Sequence, residues 1–163
     1  MKIIRDTREQ DGFTFTGYDC ELVPGSLSTG DYSILHLEHQ IAIERKSLSD
    51  LLGSLTSGRE RFTRELERGR GMSVFAVAVE ADWLDLVEGR YRSRMTPAAA
   101  TASVLSLSMR TRVPFYFCGS REQAEAVTFN LLRLYLQGAE KKLRAIVAAH
   151  GEFSYIIKRK KTA

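Results

Sequence analysis

Glu44 and Lys46 lie two residues apart in Gln40-Ile41-Ala42-Ile43-Glu44-Arg45-Lys46, a run whose hydrophobicity alternates as in a half-buried strand. Successive strand side chains point to opposite faces, so Ala42, Glu44 and Lys46 share one face while Ile41, Ile43 and Arg45 share the other. A carboxylate and an amine are thereby presented side by side. A second acid, Asp31, follows Gly30 and opens Asp31-Tyr32-Ser33-Ile34-Leu35, which can pair with the first run across a short turn at 36–39. Two acids and a lysine then converge at one sheet edge. Such a set suits the hydrolysis of a phosphodiester, because magnesium takes oxygen ligands and needs only one or two carboxylates beside waters and phosphate oxygens. Without metal, Lys46 stays protonated beside two carboxylates; a bound divalent ion would push its pKa down. Its expected work is to orient water and stabilise phosphorane charge. Taken alone, Glu-x-Lys also fits the wet face of a surface strand.

The wider pattern is Gly30-Asp31-Tyr32 followed by Ile43-Glu44-Arg45-Lys46-Ser47-Leu48-Ser49-Asp50. It resembles the nuclease domain of the XPF-type structure-specific endonucleases, whose signature is a Gly-Asp followed by Glu-Arg-Lys and an Asp four residues beyond the Lys. Asp6-Thr7-Arg8-Glu9 is similar to that family's Asp-x-Arg-Glu, and Ser57-Gly58-Arg59 to its Gly-Arg after the first helix. The match is tight over 2–59 and holds only in pattern beyond. The resemblance implies an α/β fold, a restriction-endonuclease-like mixed β-sheet flanked by helices, with a site made of Asp6, Asp31, Glu44, Arg45, Lys46 and Asp50. Within that set Asp31, Glu44 and Asp6 are the expected metal ligands, for Mg2+ with Mn2+ as a substitute, and Arg8 and Arg59 are expected on DNA. The implied activity is metal-dependent cleavage of branched, flap or fork DNA in repair or recombination, by a homodimer. The Glu-Arg-Lys motif is complete, which argues against the inactive, binding-only members. Larger relatives carry a helicase region or tandem helix-hairpin-helix modules. In 163 residues neither is expected, so the grip on duplex and branch falls to this domain, a second copy or a partner.

The elements that must position these residues alternate between strand and helix. Segments 2–5 and 20–23 read as strands, and the two segments around Asp31 and Glu44 as a hairpin. Ser47 caps a helix, with Asp50 placed to complete a capping box, a role compatible with support of the site. The apolar run Val74-Phe75-Ala76-Val77-Ala78-Val79 is of the kind buried on both faces and is expected to be the central strand. Thr96-Pro97 opens a helix running to about Arg110, and 114–118 follows as a strand parallel to the apolar run. The sheet is therefore expected to be antiparallel around the site and parallel toward the far edge. Ser120-x-x-Gln123 opens a helix through Gln137 with two apolar stripes: Ala124, Val127, Leu131 and Leu134, and Phe129, Leu132 and Leu136. One stripe covers the sheet. The second needs either another copy of the chain, which the resemblance favours, or cover from 142–149 with its Leu143, Ile146 and Val147.

Length fits one compact domain, expected over 1–150 with a basic tail at 151–163. The formal charge of +4 and pI of 9.2 favour a polyanionic partner only modestly, since 20 acids face 24 lysines and arginines. Arg61, Arg64 and Arg68 are accompanied by Glu60, Glu65 and Glu67 and read as a salt-bridged solvent face. Arg90, Arg92 and Arg94 surround Tyr91 in a loop suited to a phosphate backbone and an unpaired base, with Arg92 on the DNA. The tail Lys158-Arg159-Lys160-Lys161 reads either as an arm laying Lys158 and Lys160 on DNA or as a frayed end. Cys20 and Cys118 read as buried reduced thiols, and the expected compartment is the cytoplasm. No apolar run suits a membrane span or signal peptide, and His36, His39 and His150 lack zinc spacing. Two rivals stay open: a DNA-binding scaffold that positions a nuclease without cutting, and a site-specific restriction-type nuclease.

Overall fold

The computed structural model describes residues 1–151. Its elements follow the chain as β1 (Lys2–Asp6), β2 (Glu21–Gly25), β3 (Tyr32–Ile34), β4 (Ile41–Lys46), α1 (Leu48–Leu55), α2 (Arg59–Gly69), β5 (Val74–Val79), α3 (Trp83–Val87), α4 (Pro97–Thr111), β6 (Phe115–Phe117) and α5 (Arg121–His150). One six-stranded sheet has the order β2-β1-β3-β4-β5-β6. The pairs β1/β3 and β3/β4 are antiparallel, whereas β1/β2, β4/β5 and β5/β6 are parallel. This is the expected mixed sheet, with two corrections. The hairpin strands β3 and β4 occupy the middle, so the candidate site lies at strand ends inside the sheet and not at a sheet edge. The apolar run forms β5, an interior strand next to β6 and not the central one.

Alternation along β4 and β5 divides the core. Ala42, Phe75, Val77 and Val79 face one layer built from Leu51, Leu52 and Leu55 of α1, Phe62 and Leu66 of α2, and Ala100, Val104 and Leu107 of α4. Each such Leu or Phe, taken fully out of water, contributes about 1.5–3 kcal/mol. Across the sheet, Phe13 stacks on Tyr32 at 5.1 Å, Phe15 stands edge-on to Tyr32 at 5.5 Å, and Phe129 of α5 meets both Phe15 and Tyr18. The Phe13 amide donates to the Tyr32 hydroxyl at 2.6 Å, satisfying the polar end of a fully buried ring. Helix α4 starts as its sequence dictates: Thr96 accepts from the Ala99 amide and Pro97 fills the first turn.

Helix α5 opens with the Gln123 amide on the Ser120 hydroxyl at 3.2 Å, then runs through Gly138 to His150 without the expected stop. A mid-helix glycine costs only about 1 kcal/mol, less than the flanking helix formers recover. Residues 142–149 are therefore a continuation of this helix and no separate cover for its second stripe. The buried line steps by four, Ala124, Thr128, Leu132, so Leu132 is core, contrary to its expected place on the outward stripe. Residues 1–132 make one compact unit and the described residues from Arg133 on belong to another, the division falling within α5. In the second unit Leu136, Ala139, Leu143 and Ile146 repeat at intervals of three and four, with Leu143 and Ile146 exposed. The tail lysines Lys158 and Lys160, with the rest of 152–163, lie outside the described residues. Among those described, no helix is long and apolar enough to cross a membrane.

Candidate active site

Gly30 sets the site's geometry. Its φ of 78° lies in the left-handed region, and a Cβ there would come within 2.9 Å of the Ala42 side chain and 3.3 Å of the Ile43 carbonyl oxygen. Only glycine lets the chain approach β4 this closely. Asp31 is then pinned on both sides, its amide donating to Ile43 O at 2.9 Å and its carbonyl accepting from the Asp6 amide at 2.8 Å. The Arg45 amide donates to Asp31 Oδ2 at 2.7 Å and fixes the carboxylate. On β4, Glu44 and Lys46 point to the same face, as period two requires, and the Lys46 ammonium donates to Glu44 Oε1. The ammonium sits 5.3 Å from the centre of the Phe62 ring, which orients it further. Asp31, Glu44 and Lys46 line a depression of about 440 Å3 together with Glu9, Asp50 and Arg61.

The electrostatics of the pair are unfavourable in isolation. Burial pushes the Asp31 carboxyl up to about 6, with Glu9 and Glu65 adding repulsion, although the Arg45 amide and Lys46 pull the other way. Burial, and then the charge of Asp31, drives Glu44 well above the ordinary carboxylate range. Burial alone would lower the Lys46 pKa, but Glu44 and the neighbouring acids outweigh it and leave the ammonium above its usual value. Glu44 is 3% exposed, and its Oε2 is buried without a hydrogen-bond partner among the described residues. An orphaned carboxylate oxygen next to a second desolvated acid fits a hard cation that the protein side completes with only two carboxylates.

The other anticipated residues are placed differently. Asp6 does not line the depression: Arg8 grips it through Nε at 2.8 Å and Nη2 at 3.0 Å, and the Arg8 and Leu27 amides complete the set at 2.8 and 2.7 Å. Burial would raise its carboxyl, but the bonds from Arg8 and Leu27 outweigh it and leave the pKa lowered. Asp6 and Arg8 thus clamp the loop that leads to Gly30. Arg45 also lines the depression, but its guanidinium lies on the face opposite Glu44 and Lys46 and holds Glu80 through Nε at 2.6 Å, with Glu9 and Asp11 at 3.3 and 3.2 Å. Asp50 stands exposed on the rim, accepting from the Ser47 hydroxyl at 2.6 Å while its amide donates back to Ser47. Arg59 bridges α2 to Ser103 of α4 at 3.1 Å and does not line the depression, although Ser57 and Gly58 before it do. Arg92 is exposed and lines no part of it. Tyr91 is tied down, packing on the core and donating to Met95 O at 3.2 Å, so it is not the free aromatic expected for stacking on a base.

Four further residues, none of them an expected site residue, surround the depression or hold its neighbours. Glu9, the last residue of Asp-x-Arg-Glu, lines the site, and the motif itself carried that signal. Glu80, the residue after β5, is the half-buried partner of Arg45, and Arg121 joins it at 3.2 Å while also holding Asp11. Arg61, which helical charge pairing places on a neutralised face, lines the depression.

A six-stranded mixed sheet flanked by helices, with two acids and a lysine at the ends of its middle strands, defines a restriction-endonuclease-like domain. The ERCC4 domain matches residues 5–131, and the chain belongs to that family, that of the XPF-type nucleases. Among solved structures, XPF from Aeropyrum pernix aligns with a TM-score of 0.67 at 22% identity, over 91% of this chain and 73% of that one. XPF from Aeropyrum pernix in complex with DNA aligns with a TM-score of 0.62 at 22% identity, over 84% of this chain and 66% of that one. At this identity the likeness is one of fold. No curated protein matches the chain.

Proposed function

We propose that this protein is a divalent-metal-dependent DNA endonuclease that cuts at branched, flap or fork structures and works as a homodimer. The observation that carries the reading is the buried, unpartnered Glu44 Oε2 beside the desolvated Asp31, with Lys46 held across from both. Asp31 and Glu44 would hold Mg2+, with Mn2+ as a substitute, and the bound ion would supply Lewis-acid charge to the phosphate and lower the pKa of water. Asp6 does not contribute to that set, its oxygens being committed to Arg8 and Leu27. Lys46 remains protonated and offers its positive charge where the phosphorane develops negative charge. Water, losing a proton to solvent, would add to phosphorus while the P–O bond to the leaving oxygen breaks and that oxygen takes a proton from solvent. Gly30 and the Arg45 amide keep Asp31 in place throughout.

DNA as substrate is supported by family membership and by the like-folded XPF solved with DNA. The homodimer rests on the repeat of Leu136, Ala139, Leu143 and Ile146, which leaves Leu143 52% and Ile146 40% exposed. The test is incubation of the purified protein with Mg2+ or Mn2+ and a panel of linear, flapped, forked and four-way DNAs. Metal-dependent cutting confined to branched substrates is expected. Cutting set by recognition sequence would transfer the site to a restriction-type role, and binding without cutting would make the protein a scaffold.

A further inference from the structure

Arg61 is the cation at the site with no occupation of its own. The depression is lined by four acids, Glu9, Asp31, Glu44 and Asp50, and three bases, Arg45, Lys46 and Arg61. Arg45 is committed to Glu80, Glu9 and Asp11, and Lys46 to Glu44. Among the described residues Arg61 has no ion pair, and its helical neighbour Glu65, one turn on, makes none with it. The expected salt-bridged face is realised only at Arg64, which meets Glu60 at 3.7 Å. The place of Arg61 is nevertheless well defined. Helix α2 is fastened to the loop leading into the site by Thr29 Oγ1 donating to Glu65 O at 3.4 Å, and Phe62, the next residue, is buried under the Lys46 ammonium.

An acidic, desolvated site must still admit a polyanion. A phosphodiester entering it meets four carboxylates and needs a cation that is not already neutralised. From this, and resting on the nuclease reading above, we infer that Arg61 is a substrate-binding residue: its guanidinium takes non-bridging oxygens of a DNA phosphate at the α2 wall of the site. A planar fork suits that oxygen pair better than an ammonium.

The experiment measures binding of the metal-free protein to a fluorescent forked DNA across a potassium chloride series, and cleavage kinetics with Mg2+. Arg61→Ala should weaken binding about tenfold at low salt, the scale of one charge-assisted hydrogen-bonded contact. It should also reduce the salt slope by about 0.7–0.9, the counterions released by one phosphate. In cleavage, KM should rise about tenfold while kcat stays within about threefold. Arg61→Lys should restore the slope and only part of the affinity. Arg64→Ala, on the same helix but outside the depression, should leave all of these unchanged. Wild-type slope and affinity in Arg61→Ala overturn the inference, as does an equal loss in Arg64→Ala. A wild type that binds with an Arg61-dependent slope yet never cuts would instead sink the nuclease reading and leave this one standing.

Discussion

Replacing Asp31 by Asn should stabilise the metal-free protein while ending its activity. The Asp31 carboxyl is carried from an ordinary 3.8 to about 6, chiefly by burial. Its folded pKa therefore lies above its unfolded one, so the folded state holds the extra proton between about pH 4 and 6, and stability falls as pH rises through that window. Keeping Asp31 ionised at pH 8 costs roughly 3 kcal/mol. Asn removes this cost and still offers an oxygen to the Arg45 amide, which Asp31 now accepts at 2.7 Å. At about 2–4 °C per kcal/mol for a chain of this size, the variant should melt up to about 10 °C above wild type at pH 8. Toward pH 4 the difference should vanish. Thermal denaturation followed by circular dichroism in EDTA, at pH 4, 6 and 8, measures it. Saturating Mg2+ should narrow the gap by raising the wild type alone. An Asn variant no more stable than wild type at pH 8, or equally stabilised at pH 4, would refute the electrostatic account of this site.

Lys46→Ala should keep DNA affinity yet cut at least about a hundredfold more slowly, the scale set by removing one preorganised transition-state group; single-turnover kinetics decide it, and affinity falling in step with rate would make Lys46 a phosphate-binding residue. Lys46→Arg should rescue poorly, because a broad fork does not fit between Glu44 and the Phe62 ring. Leu143→Glu, on an exposed position of α5, should shift a dimer to monomer in light scattering with native circular dichroism, whereas Leu132→Glu should unfold the protein because Leu132 is fully buried. A wild type that is monomeric at every micromolar concentration would remove the dimer from the proposal.

What the sequence showed well was local. Period-two alternation placed Glu44 and Lys46 on one face, and the same alternation already put Arg45 on the other, where it holds Glu80. The family resemblance grouped Arg45 with the chemistry regardless of that geometry. Gly30 preceding Asp31 was visible as a motif, but its reason, contact with Ala42 and the Ile43 carbonyl, exists only once β4 lies alongside. Asp6 shows the same in reverse: the Leu27 amide that bonds it comes from a loop whose path no local rule supplies. Arg61 was hidden by the helical pairing rule, which correctly describes Glu60 and Arg64 but says nothing of which arginine faces a cleft. In α5 the phase of the stripe was read one step off, because a long helix carries several apolar rows and only its packing partners select the buried one.

The site's polar arrangement opposes its own stability, and that opposition explains which residues surround it. An unpartnered buried oxygen such as Glu44 Oε2 costs about 1–3 kcal/mol, and the charge on Asp31 a comparable amount. Adding one hydrogen-bond donor would relieve both, and would also fill the place a cation needs. The protein instead leaves Glu44 Oε2 without a donor and ties the neighbours of the two acids firmly: Asp6 receives four donors, Arg45 three acceptor residues, and the Tyr32 hydroxyl bonds the Phe13 amide. Fixed surroundings keep Asp31 and Glu44 from turning away or collapsing onto a partner. The apolar layer of Leu51, Phe62 and Val77 next to β4 provides the burial that keeps water from compensating them. An ion and a phosphate are then the groups best able to do so, and a substitution that relaxed the pair would gain stability and lose the means of binding either.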